Sequence, residues 1–75
     1  MLLSVIIFEV LEGVFDEDDR TRIMKAVTDA FGQAAGGRMR ENTSVRIHEI
    51  KSGNWCYAGN VLTTDVGLAI RNNQP

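Results

Sequence analysis

Cross-linking chemistry is nearly missing from this chain. Cys56 is its only cysteine and His48 its only histidine among 75 residues. A lone cysteine cannot close an internal disulfide, and a reducing, cytoplasmic setting is expected. Neither residue has a partner at metal-ligand spacing, so no metal centre is predicted, and no motif asks for a cofactor. An excess of basic charge is missing too, since eight Lys and Arg stand against ten Asp and Glu for a net charge of −2. Arg38 and Arg40 form the only local basic cluster, with Glu41 beside them. A nucleic-acid partner would want a basic stripe and a high pI, so none is expected. The apolar run Met1 to Phe8 has no basic segment before it and ends at Glu9. It is too short to cross a membrane and makes a poor signal peptide, so no membrane partner is expected.

What is present is an ordinary globular composition, 44% apolar, too apolar for a disordered chain. The length allows one domain, and a domain near this size buries only about 60% of the surface its unfolded chain would expose. Small proteins usually add disulfides, a metal or self-association, and the first two are excluded here. The stretch SVIIFEVLEG, residues 4 to 13, points to the third device. As a strand, Ile6, Phe8 and Val10 face one way; Val5, Ile7 and Leu11 face the other, with Glu9 among them. A strand with one wet face should alternate apolar with polar, and this one is apolar on both.

The first strand is predicted over residues 2 to 11, closed by Glu12-Gly13. An amphipathic helix follows over roughly 16 to 35, with Asp16 as N-cap. Glu17, Asp18 and Asp19 supply negative charge at its positive end, which accounts for the acidic cluster without a metal. Ile23, Val27, Ala30, Phe31 and Ala34 make its apolar stripe, and Gly36-Gly37 stops it. TSVRIHEI, residues 43 to 50, then alternates as a second strand. Val45 and Ile47 lie on one face, and Ser44, Arg46, His48 and Ile50 on the other. Ser52-Gly53-Asn54 marks a turn, and WCYAG opens a hairpin arm. Residues 60 to 75 show no strong pattern and end in a polar, frayed-looking run. Strand, helix, strand at this spacing is a βαβ unit with parallel strands and a right-handed crossover. One helix covers one face of such a sheet, so the other face must find another subunit.

These residues resemble the 4-oxalocrotonate tautomerases. The resemblance is carried by the apolar strand ending in Leu11-Glu12-Gly13, the Asp16-Glu17 helix start, the stripe ending in AVTDAF, and TSV with Glu49-Ile50. The hairpin SGNWCYAG completes it. It covers roughly residues 4 to 62, and the order and spacing persuade more than any single motif does. It implies an α/β (α+β) fold, a single βαβ unit with a C-terminal hairpin, assembled as a symmetric oligomer, a dimer or a hexamer. It also implies a tautomerase-like domain over 1 to 62, with 63 to 75 as a tail. The implied activity is that of an isomerase: enol–keto proton transfer on a small 2-oxo or unsaturated carboxylic acid. In the family an N-terminal proline is the base, arginines bind carboxylates, and an aromatic on the hairpin makes the site apolar.

Carried over residue by residue, the site is incomplete. The family proline falls on Ser4, and the chain's only proline is Pro75. The nearby amine is that of Met1, retained if the bulky Leu2 blocks its removal. A primary α-amine ordinarily titrates at about 8, and this one is the candidate base. The arginine expected after the Glu-Gly turn falls on Val14, leaving that role empty unless Arg20 or Arg22 reaches in from the helix. The arginine of the second strand falls on Ser44, or on Arg46 under an alignment shifted by two residues. A shift of two keeps the same face, so both are candidate substrate-binding residues. Trp55 stands where the family places its aromatic. His48 reads as a surface or interface residue rather than a proton relay, and Cys56 as a small buried residue. Two functions follow. One is a tautomerase, weak or inactive for want of the proline. The alternative is a non-catalytic or structural subunit of a homo- or hetero-oligomer, in which a proline-bearing paralogue supplies the base.

Overall fold

The computed structural model describes residues 3–73. Strand β1 (Ser4–Leu11) leads through a tight turn into helix α1 (Glu17–Ala35). A short 3₁₀ turn (Arg40–Asn42) returns the chain to strand β2 (Thr43–Ile50). A hairpin, β3 (Trp55–Tyr57) and β4 (Asn60–Leu62), and a second helix, α2 (Thr64–Asn72), complete it. β1 and β2 pair in parallel over their whole length, from Ser4 beside Thr43 to Leu11 beside Ile50, and β3 and β4 pair antiparallel. The predicted βαβ unit and C-terminal hairpin are therefore present.

Each boundary has a local cause. Asp16 sits in extended conformation and its carboxylate accepts the Asp19 N–H at 2.8 Å, while Asp19 Oδ2 accepts the Asp16 N–H at 3.0 Å. This reciprocal box satisfies two backbone donors that a helix start leaves orphaned. Three acidic residues in the first turn complement the helix dipole. Gly36, at φ +82°, ends α1 where a side chain would be strained. Gly32 is buried because the chain returns directly over it: a β-carbon there would lie 2.5 Å from Arg40 Cβ.

Burial along β1 alternates with period two. Ser4, Ile6, Phe8 and Val10 are half-buried on the side that α1 covers, with Val45 and Ile47 beside them in register. On the opposite face Val5 is 45% and Ile7 52% exposed, so the second apolar face of β1 is bare in the single chain except at Leu11, its last residue.

The deepest apolar residues are at the end of β1 and just beyond it. Leu11 and Val14 are each only 8% exposed, and α2 lies on them. A β-carbon on Gly67 would stand 2.5 Å from Val14 Cγ2 and 3.4 Å from Leu11 Cδ1. Residues 63 to 75, expected to be a patternless tail, thus carry a nine-residue helix that seals the end of the sheet. Thr63 caps it by accepting the Val66 N–H, and Thr64 Oγ1 donates to the Glu12 carbonyl at 2.7 Å. Among the described residues, no helix is long and apolar enough to cross a membrane.

Candidate functional site

The face of the sheet that α1 leaves open carries most of the predicted binding residues. Parallel register puts Ser44 beside Val5, Arg46 beside Ile7, and His48 beside Glu9. Ser44 and Arg46 therefore share a face, as their two-residue separation requires. Arg46 is exposed. Arg20, Arg22, Arg38, Arg40 and Arg71 each form an ion pair, whereas Arg46 forms none among the described residues. An uncommitted guanidinium beside two bare aliphatic side chains is a place for a carboxylate with an apolar body.

Ser4 is not on that face. It stands on the α1 side at the start of β1, 2.7 Å from Thr43 Oγ1. Thr43 spends its one hydroxyl proton on the Met39 carbonyl at 2.7 Å, so Ser4 donates to Thr43. This chain of hydroxyls ties the start of β1 to the return from α1. Met1 lies outside the described residues.

Trp55 is half-buried at the head of the hairpin, paired with Leu62. The hairpin leaves from the Ile50 end of β2, whereas Ser4 lies at the opposite end of the eight-residue β1. At about 3.3 Å per residue that strand spans roughly 25 Å. One subunit therefore does not bring Ser4 and Trp55 together. The hairpin is otherwise open to solvent, with Tyr57 72% and Val61 58% exposed. Cys56 is exposed too, because the residues of a two-stranded arm alternate sides and nothing covers its side; the expected burial is corrected. His48 is exposed on the Arg46 face.

The two helix arginines weighed for the place left empty by Val14 are both committed. Arg20 donates to the Phe15 carbonyl at 2.7 Å and pairs with Glu49 at 3.5 Å, tying the start of α1 to the end of β2. Arg22 donates to Asp19 Oδ1 at 2.7 Å. The guanidinium that does reach Val14 comes from α2. Arg71 Nη1 donates to the Val14 carbonyl and to Asp19 Oδ2, each at 2.8 Å, and its guanidinium lies 4.9 Å from the Phe15 ring centroid. Sequence reasoning does not find Arg71. Thr63 as a helix cap, Asp65 in the first turn and Arg71 in the last were the available signal, and Gly67 masked it.

Asp19 is the electrostatic hub of this end. It is 8% exposed, and its oxygens accept from Arg71, the Asp16 N–H and Arg22. These bonds, the one from Arg71 foremost, hold its carboxyl far below the usual carboxylate range, and the same bond raises Arg71 in turn.

Comparison with known proteins adds one relationship. A family model described as "Tautomerase enzyme" matches residues 5–65. No curated protein and no solved structure was found to match the chain.

Proposed function

The chain belongs to the tautomerase family, and from that premise we propose that it moves a proton between the enol and keto forms of a small 2-oxo or unsaturated carboxylic acid. The observation that carries this reading is Arg46, unpaired among the described residues and set beside Val5 and Ile7 on the uncovered face of the sheet. Arg46 binds the substrate carboxylate, with Ser44 next to it on the same face. Trp55 walls the pocket, which lowers the local dielectric around the base. The base is the Met1 amine, close in sequence to Ser4, where the family proline is expected. Because Ser4 and Trp55 stand at opposite ends of one subunit, the site is completed between copies, in a dimer or a hexamer. The exposed free thiol of Cys56 suits a reducing, cytoplasmic setting.

A second reading is favoured by Val14 and by the confinement of proline to Pro75. In it the chain is a structural subunit, and a proline-bearing paralogue supplies the base. Ultraviolet absorbance with phenylenolpyruvate or 2-hydroxymuconate separates the two. A rate above buffer for the purified chain, with a Met1 adduct trapped by borohydride in the presence of a 2-oxo acid, supports the first. No rate alone, but a rate on mixing with such a paralogue, supports the second.

A further inference from the structure

We propose that the cleft between α2 and the Val14–Phe15 segment is a second binding site, for a small apolar carboxylate held by the free edge of the Arg71 guanidinium. The cleft has a volume of about 360 Å³ and is lined by Val14, Phe15, Gly67, Ile70 and Arg71. That volume falls in the range of small-molecule pockets, and the lining is one cation among apolar groups.

The geometry of Arg71 shows what is left to bind. Both of its hydrogen bonds to described residues leave from Nη1, one to the Val14 carbonyl and one to Asp19. Nε and Nη2 take no partner among the described residues, and together they form the side-on fork that grips a carboxylate with two parallel hydrogen bonds. The guanidinium is already oriented by its two bonds and by the Phe15 ring, so little entropy is lost on binding. Asp19 is shared between Arg71 and Arg22, and Asp16, whose charge also acts on Arg71, brings the four groups to neutrality, so the grip on a carboxylate comes from the fork and not from net charge. The neighbouring carboxylate, Asp16, is turned to the Asp19 N–H. Ile70, 63% exposed, offers apolar surface for the body of the ligand. The site stands on its own geometry, on elements other than those that carry Arg46, and does not depend on the proton-transfer reading.

The test is a titration of the isotope-labelled full chain with cinnamate and with neutral cinnamamide, followed by the resonances of the Arg71 Nε–H and of Phe15. The expected result is that cinnamate moves both resonances and binds at least about tenfold more tightly than cinnamamide, as loss of a charge-assisted pair requires. Arg71→Lys keeps a cation for Asp19 but lacks the fork. With its fold verified by circular dichroism, it should keep only part of that preference at the Phe15 resonance. Equal binding of the two ligands, or shifts confined to the Arg46 face, would overturn the proposal on the unmodified protein alone. Absence of phenylenolpyruvate turnover would count against the tautomerase reading and leave this site standing.

Discussion

Ile7 and Arg46 stand side by side in the parallel register, on the face of the sheet that α1 does not cover. A half-exposed isoleucine in mid-strand leaves hydrophobic burial unused, and the guanidinium beside it uses no ion pair among the described residues. Both are explained if a second copy covers this face.

Ile7→Lys tests that explanation. Full burial of an isoleucine is worth about 1.5–3 kcal/mol, and a lysine in its place would bring an unpaired charge into the contact. The unmodified protein should sediment as more than one copy, and the variant as a smaller species at equal concentration. The side chain points away from α1, so far-ultraviolet circular dichroism should be unchanged.

Arg46→Ala separates binding from packing. Hydrogen bonds to a charged group contribute about 1.5–3 kcal/mol, so kcat/KM for phenylenolpyruvate should fall by about tenfold to a hundredfold. Arg46→Lys should recover part of this, because it keeps the charge without the fork. Equal sedimentation of both variants and the parent would locate the loss in the substrate contact, and unaltered kcat/KM would remove Arg46 from the site.

The sheet and α1 were legible because their signals are local and periodic. Asp16 announces its capping box, the alternation of Val45 and Ile47 with Arg46 and His48 gives the faces of β2, and the two-faced apolar run of β1 marks the bare surface. The α2 end was not legible. Gly67 breaks the apolar repeat of that helix, and its reason for being glycine is a tertiary contact with Val14 that no local pattern carries. The link from Arg71 to Asp19 spans 52 residues, so no spacing rule reaches it. That Ser44 and Arg46 share a face could be read from parity; Ser4 lies on the other face, where its place in the hydroxyl chain was invisible in sequence.

Acid should unfold this protein through Asp19. Its carboxyl is held well below the ordinary range by Arg71, the Asp16 N–H and Arg22, whereas in the unfolded chain an aspartate titrates at about 3.9. The folded state therefore binds this proton less readily than the unfolded state. The stabilisation is complete above the unfolded value and is lost as pH falls below about 4 toward the lowered folded value. Urea midpoints at pH 7, 4 and 2.5 check this. The parent should lose stability more steeply over the acid steps than Asp19→Asn, and parallel losses would assign the acid limb to other carboxylates.

Gly67→Ala sets two known effects against each other. In the interior of a helix, alanine is favoured over glycine by about 1 kcal/mol. Here the added β-carbon would lie 2.5 Å from Val14 Cγ2. Val14 is a short, β-branched side chain only 8% exposed, with Leu11 beyond it, so it can relieve the contact only by leaving its preferred rotamer or by pushing α2 outward. Overpacking of this kind costs about 1–3 kcal/mol, and the clash should outweigh the propensity gain. The melting temperature should therefore fall, with shifts in the Val14 and Leu11 methyl resonances. Ala69→Gly, at an exposed position of the same helix, should cost only the propensity difference and leave those methyls unmoved. The decisive comparison is Val14→Ala in both backgrounds, because removing Cγ2 removes the clash. It should cost clearly less stability with alanine at 67 than with glycine, a coupling that arises only if the two residues touch. Equal costs, or a rise in melting temperature for Gly67→Ala alone, would mean that α2 does not rest on Val14.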